Sequence, residues 1–274
     1  MTEPRVVLEA RDLKAGFGST TVLHGTSLIV REGEVAAVLG LNGAGKSVTM
    51  KVLAGLVPVW KGTIMLDGEE IQNVEAEQRV GLGLVSMTQG RQVFPDLSVE
   101  QNLRLGAYLS RKRNRRRYGT NLESMYERFP RLAERRKQLA GTMSGGEQAI
   151  LALARALMAE PKVLLIDEPT AGLAPVVVEG FLETLREINA SGLTMLLVEQ
   201  NVPFALRLAK HAHIMQRGRI VYESEVDSMD HQAMVRYLGI GRLLAPTVAA
   251  AGASTNGRAP AKGKARKAPP RKKS

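Results

Sequence analysis

Three short stretches of the chain are apolar at every position: V-A-A-V-L at residues 35–39, V-L-L-I at 163–166 and M-L-L-V at 195–198. A strand buried on both faces reads this way, because neither side chain direction meets water. Each stretch is followed by turn residues and then by helical spacing, which predicts a mainly parallel α/β sheet. Nearer the start, R-V-V-L-E-A and T-T-V-L-H-G-T-S-L-I-V alternate apolar with polar, and Gly16 and Gly18 lie between them. That pattern predicts antiparallel strands edging the parallel core. From about residue 98 to 138 the texture changes. V-E-Q-N-L-R-L-G-A-Y-L and L-E-S-M-Y-E-R-F have helical spacing with no strand between them, so an inserted helical lobe is predicted.

Composition adds limits. With 274 residues and 44% hydrophobic content, the chain has ample length for a core. It has no cysteine, which excludes disulfides and thiolate metal sites. No run approaches the roughly 18 to 20 apolar residues that cross a bilayer. The opening M-T-E-P-R-V-V-L-E has neither a basic nor an apolar signal region, so a cytoplasmic location is expected. The net charge is +11, but residues 245–274 carry eight basic residues and no acid, leaving a surplus of only three over the rest. This Ala/Pro/Gly/Lys-rich tail cannot bury enough apolar surface to offset ordering entropy, and disorder is predicted. Its charge suits anionic lipid or nucleic acid; a solubilising tail without a partner is the plainer reading. R-K-R-N-R-R-R at 111–117 reads as a solvated face or loop, with a phosphate or lipid-headgroup contact as the sharper alternative.

Candidate chemistry begins at the first apolar strand. G-L-N-G-A-G-K-S, comprising Gly40, Leu41, Asn42, Gly43, Ala44, Gly45, Lys46 and Ser47, fits G-x-x-x-x-G-K-[ST]. It follows a strand and opens a helical run beginning at Val48, the context such a phosphate loop requires. Glycines let the backbone turn its N–H groups onto one anion, and the helix start adds favourable partial charge. Lys46 is a mobile point charge for β- and γ-phosphates, and Ser47 offers a hydroxyl to Mg²⁺. In V-L-L-I-D-E-P-T, Asp167 and Glu168 stand at the carboxyl end of a buried strand, where open parallel sheets bind ligands. Asp167 is placed to hold Mg²⁺, and Glu168 to polarise a water attacking the γ-phosphate. A second glycine turn, M-S-G-G-E-Q, leads into a strong helix former. Ser144 and Glu147 have capping-box spacing, which is a complete structural explanation and also makes an anion-binding helix start.

In this order and spacing, the three motifs resemble the ATPase subunit of ATP-binding cassette transporters over about residues 5–240. The resemblance implies a P-loop NTPase core with a mainly parallel sheet, an antiparallel β subdomain and an inserted α-helical subdomain at about 98–158, within a domain spanning 1–244. It implies ATP and Mg²⁺ as cofactors. Ser144, Gly145, Gly146 and Glu147 would close on the γ-phosphate held by a partner subunit. Phe17 would stack on adenine. Gln89, in S-M-T-Q-G-R-Q-V-F-P, would sit at the hinge to the helical lobe and sense γ-phosphate and Mg²⁺. The implied partners are transmembrane permease subunits, a second ATPase subunit and a solute-binding protein, and the implied location is the cytoplasmic face of the membrane.

Two departures narrow the resemblance. The family usually has aspartate where Ala174 stands and histidine where Gln200 stands. A-G-L-A-P, L-L-V-E-Q-N and Q-G-R-Q-V-F-P-D-L-S-V-E-Q-N-L are similar to the second ATPase of branched-chain amino-acid importers (LivF type) and to its relative in urea import. Such importers usually pair two different ATPases, so a heterodimer is implied, with a homodimer as the alternative. Gln200 can donate an N–H to the γ-phosphate but cannot become charged. A soluble cassette ATPase acting on nucleic acid or ribosomes is the rival reading. One copy of each motif and no sustained heptads argue against it, and no specific nucleic acid is expected.

Overall fold

The computed structural model describes residues 4–90, 93–108 and 115–238. The predicted disordered tail at 245–274 and the side chains of the basic run at 111–117 lie outside the described residues.

The strands in chain order are β1 (Val6–Phe17), β2 (Thr20–Arg31), β3 (Val35–Leu39), β4 (Lys61–Leu66), β5 (Glu69–Glu70), β6 (Leu84–Met87), β7 (Val163–Asp167), β8 (Thr194–Glu199), β9 (His211–Gln216) and β10 (Arg219–Glu225). The helices are α1 (Lys46–Leu53), α2 (Ala76–Leu82), α3 (Val99–Gly106), α4 (Arg115–Arg128), α5 (Pro130–Glu134), α6 (Gly145–Leu157), α7 (Pro175–Ala190), α8 (Val202–Leu208) and α9 (His231–Leu238).

Six strands form one sheet in the order β10-β9-β3-β8-β7-β6, and all neighbours except β10–β9 run parallel. The predicted apolar strands are its centre: every residue of β3, β7 and β8 is buried. Side chains alternate across the sheet, so each strand feeds two cores. Val35, Ala37 and Leu39 join the core under the helices, with Leu164, Ile166, Met195 and Leu197. Ala36 and Val38 face the other way, with Leu165, Leu196 and Val198.

The antiparallel strands do not edge this sheet as the sequence pattern predicted. They form their own four-stranded sheet, β2-β1-β4-β5. Its apolar positions, among them Leu8, Leu13, Leu23, Val30 and Ile64, share a core with α1 and one face of the parallel sheet. β1 and β2 are each 12 residues long with one buried face, so they need a surface to cover rather than an edge to join. Among the described residues, only β10 adds an antiparallel edge to the parallel sheet.

The predicted helical lobe is present. Between β6 and β7 no strand occurs among the described residues, and α3 to α6 occupy the segment. Leu103, Tyr126, Phe129, Leu132 and Leu153 pack into the same core as the helix-side residues of the sheet. No helix of the described residues is long and apolar enough to cross a membrane.

Candidate nucleotide-binding and hydrolysis site

The phosphate loop leaves β3 at Leu39 and enters α1 at Lys46. Gly45 sits at the helix start with φ +108°, a conformation that strains any residue with a Cβ. No side chain caps this helix start. The loop is braced from the turn between β9 and β10, where the Gly218 N–H donates to Ala44 O at 2.7 Å. A Cβ on Gly218 would lie 1.9 Å from Val22 O, so only glycine lets this turn reach both the loop and β2.

Without a nucleotide, Lys46 turns back onto its own loop. Its ammonium donates to Gly40 O at 2.8 Å and Leu41 O at 3.3 Å, and lies 4.0 Å from Glu168 Oε1. The residue is 4% exposed. Burial pulls its pKa down, while Glu168, Asp167 and Glu199 oppose that pull. The residue also lines the cleft that the loop borders.

Ser47 Oγ donates to Asp167 Oδ1 at 3.2 Å, bringing the end of β7 to the start of α1. Burial pushes the Asp167 carboxyl up to about 6; the Ser47 hydrogen bond opposes the shift and the Glu168 charge adds to it. A hydroxyl and one carboxylate are hard oxygen donors. They suit Mg²⁺, which takes one or two protein ligands and fills its octahedron with water and phosphate oxygens.

Glu168 follows at φ +47°, a left-handed conformation in a non-glycine residue that also precedes a proline. Its N–H donates to Val198 O at 2.9 Å, which fixes the turn against β8. Its carboxylate is held by two amides: Gln89 Nε2 donates to Oε2 at 2.6 Å and Gln200 Nε2 to Oε1 at 2.8 Å. Gln89 comes from the segment after β6 and Gln200 from the tip of β8. The three side chains line a cleft of about 400 Å³ with Asn42, Gly43, Lys46, Ser47 and Val48, and Val22 forms part of its wall.

Other predicted residues lie elsewhere. Phe17 ends β1, is 52% exposed and does not line this cleft. Leu41 is also exposed. Ser144, Gly145, Gly146 and Glu147 are likewise outside it, at the start of α6. The predicted capping box is formed there: the Ser144 N–H donates to Glu147 Oε2 at 2.9 Å and the Glu147 N–H to Ser144 Oγ at 3.4 Å. The first of these bonds lowers the Glu147 pKa.

Sequence reasoning missed three contributors. Gly218 braces the loop from a distant hairpin, Val22 walls the cleft, and Glu199 is a buried acid beside Gln200. Only Glu199 left a signal, as a charge ending a wholly apolar strand.

A phosphate loop on the central strand of a parallel sheet, an acidic pair two strands away, and an inserted helical lobe together define a cassette-type ATPase. Residues 23–171 match the ABC transporter family, and the chain belongs to it as an ATP-binding subunit that couples ATP hydrolysis to transport. It is 40% identical over 225 residues to the high-affinity branched-chain amino acid transport ATP-binding protein BraG of Pseudomonas aeruginosa, covering 81% of this chain and 95% of that one. It is 34% identical to the probable branched-chain amino acid transport ATP-binding protein LivF of Archaeoglobus fulgidus, covering 81% and 94%. The crystal structure of a nucleotide-free ATP-binding cassette from an ABC transporter superposes with a TM-score of 0.74 at 26% identity, covering 86% of this chain and 96% of that one.

Proposed function

We propose that this chain powers an importer whose solutes are branched-chain amino acids, working at the cytoplasmic face of a membrane beside permease subunits, a second, different ATPase and a solute-binding protein. The solute class is supported by the two relatives named above, since this chain's cleft belongs to the nucleotide. The observation that carries the ATPase reading is the convergence of the phosphate loop and Glu168 on one cleft, with Asp167 bonded to Ser47 of the cleft lining.

The chemistry follows from those positions. Loop N–H groups and Lys46 bind the phosphates, and Ser47 and Asp167 would hold Mg²⁺, which supplies neutralisation of developing phosphate charge. Glu168 takes a proton from the attacking water. Two neutral amides, Gln89 and Gln200, hold its carboxylate in place at the cleft. Gln89 and Gln200 must yield or share Glu168 when a γ-phosphate and a water enter, which makes both of them sensors of the nucleotide. Phe17, exposed at the end of a hairpin, offers its ring face to the adenine. Ser144 to Glu147 lie outside their own cleft and present a helix start to the nucleotide of a partner subunit.

The helical lobe, about residues 98–158, passes the nucleotide state to the permease. An apolar groove of about 580 Å³ runs past Met87 and Thr88, immediately before Gln89, and exposes Leu56, Phe94, Leu105 and Tyr108. A short apolar permease segment seated there would feel any movement of Gln89.

Glu168→Gln should retain ATP and lower turnover of the chain assembled with its permease by about 100-fold or more, the range expected for a lost general base. Turnover equal to the unaltered protein would remove Glu168 from this role.

A further inference from the structure

Glu199 is 2% exposed and lines no part of the cleft, yet its carboxylate accepts four hydrogen bonds. Oε1 takes the Thr170 N–H at 3.0 Å and the Thr170 hydroxyl at 2.7 Å. Oε2 takes the backbone N–H groups of Gln200 and Asn201, each at 3.0 Å. The donors come from two segments: the turn after β7, which carries Glu168, and the tip of β8, which carries Gln200. Both segments also meet directly at Glu168, through Gln200 Nε2 on the side chain and Val198 O on the backbone N–H.

Glu168, Pro169, Thr170, Glu199 and Gln200 thus form a closed ring. We propose that Glu199 is a positioning residue for hydrolysis: it clamps the Thr170 turn to the Gln200 tip and so fixes the strained Glu168 carboxylate toward the phosphate loop. The inference rests on the reading of Glu168 as the base. A carboxylate fits this place because the ring supplies only donors: three backbone N–H groups, and a hydroxyl that also donates. Hydrogen bonds to a carboxylate are stronger than those to a neutral acceptor. A buried acceptor facing four donors cannot be replaced by an amide of the same shape without turning an NH₂ group onto an N–H. The strand is not held together by Glu199, since β7 and β8 are paired along their full length independently.

The test is Glu199→Gln, measured beside Glu168→Gln in the full chain assembled with its permease. The expected result is ATP affinity within about twofold of the unaltered protein, a melting temperature lowered by about a few degrees for the mismatched buried donors, and a kcat lowered about tenfold or more. Glu199→Gln with unchanged kcat, while Glu168→Gln abolishes turnover, overturns the clamp and leaves the base in place. Unchanged turnover in Glu168→Gln overturns the base itself. A parallel fall in affinity, melting temperature and kcat would assign Glu199 to folding alone. Thr170→Val and Thr170→Ser keep the test open if Glu199→Gln does not fold. The valine variant should lose several-fold in kcat at unchanged affinity and the serine variant should restore it; equal rates for the two overturn the proposal.

Discussion

Asp167 gives a stability signature separate from catalysis. Burial raises its folded pKa from 3.8 to about 6, so the fold prefers the protonated carboxyl. Stability from this preference is complete below the unfolded value and is lost as pH rises through about 6. Asp167→Asn keeps the shape and an acceptor for Ser47 without the buried charge. It should stabilise the nucleotide-free protein at pH 7.5 by up to about 3 kcal/mol, and by less at pH 5. Urea titrations at the two pH values check this, and an equal gain at both would show that ionisation is not the cause. Magnesium-dependent turnover should fall in the same variant. At this scale the sequence was legible where a motif fixes position by spacing, since Lys46, Ser47, Asp167 and Glu168 are brought together as their motifs placed them. It was not legible where one buried side chain serves another segment's backbone: the charge of Glu199 shows at the strand end, but nothing local says that it serves Thr170.

Among elements, α1 shows how little its own sequence explains. It is eight residues long, begins on a left-handed glycine, and has neither a side-chain cap nor an acid in its first turn. Its far end is stabilised from outside. The buried guanidinium of Arg79, on α2, donates Nη1 to Val52 O and Leu53 O at 2.8 Å each. It also donates Nε to Val74 O at 2.8 Å and Nη2 to Gln72 O at 3.0 Å. A planar fork can serve four carbonyls at once, and its charge suits a helix C-terminus. Arg79→Leu removes all four of these bonds, leaving Val52 O only the Gly55 N–H at 3.1 Å, and should destabilise the protein by about 3 kcal/mol or more. Because α1 is the phosphate loop's support, ATP affinity should fall as well. Denaturant midpoints and ATP titrations measure both, and Arg79→Lys should recover only part of the loss. The strands β3, β7 and β8 were readable because burial on both faces leaves an unbroken apolar run. The placement of the antiparallel sheet was not, because alternation identifies a buried face without saying what covers it.

At the scale of the molecule, the parallel sheet separates two cores, one beneath the helices and one beneath the antiparallel sheet. The cleft draws on both sides of that divide. Val22 comes from the antiparallel sheet, and Gln89 from the border of the helical lobe. The lobe's contribution was legible as an interruption in the α/β rhythm. The bracing of the loop by Gly218 was not, since 174 residues separate it from Ala44 and only the closed fold brings them together.

Strands walled on both faces have one further consequence. The tips that carry Gly40, Asp167 and Glu199 extend from the part of the chain whose amides should exchange with solvent most slowly, through global opening alone. Opening of the helical lobe or of α9 can then come and go without erasing the phosphate cradle. On a denaturant curve read with the nucleotide-free protein, the capacity to bind ATP on rapid dilution and the slowest-exchanging amides of β3 and β8 should disappear together. An earlier loss of binding would mean that the cradle melts on its own. The lobe can therefore be a loose, working part, while the nucleotide's seat lasts as long as the fold does.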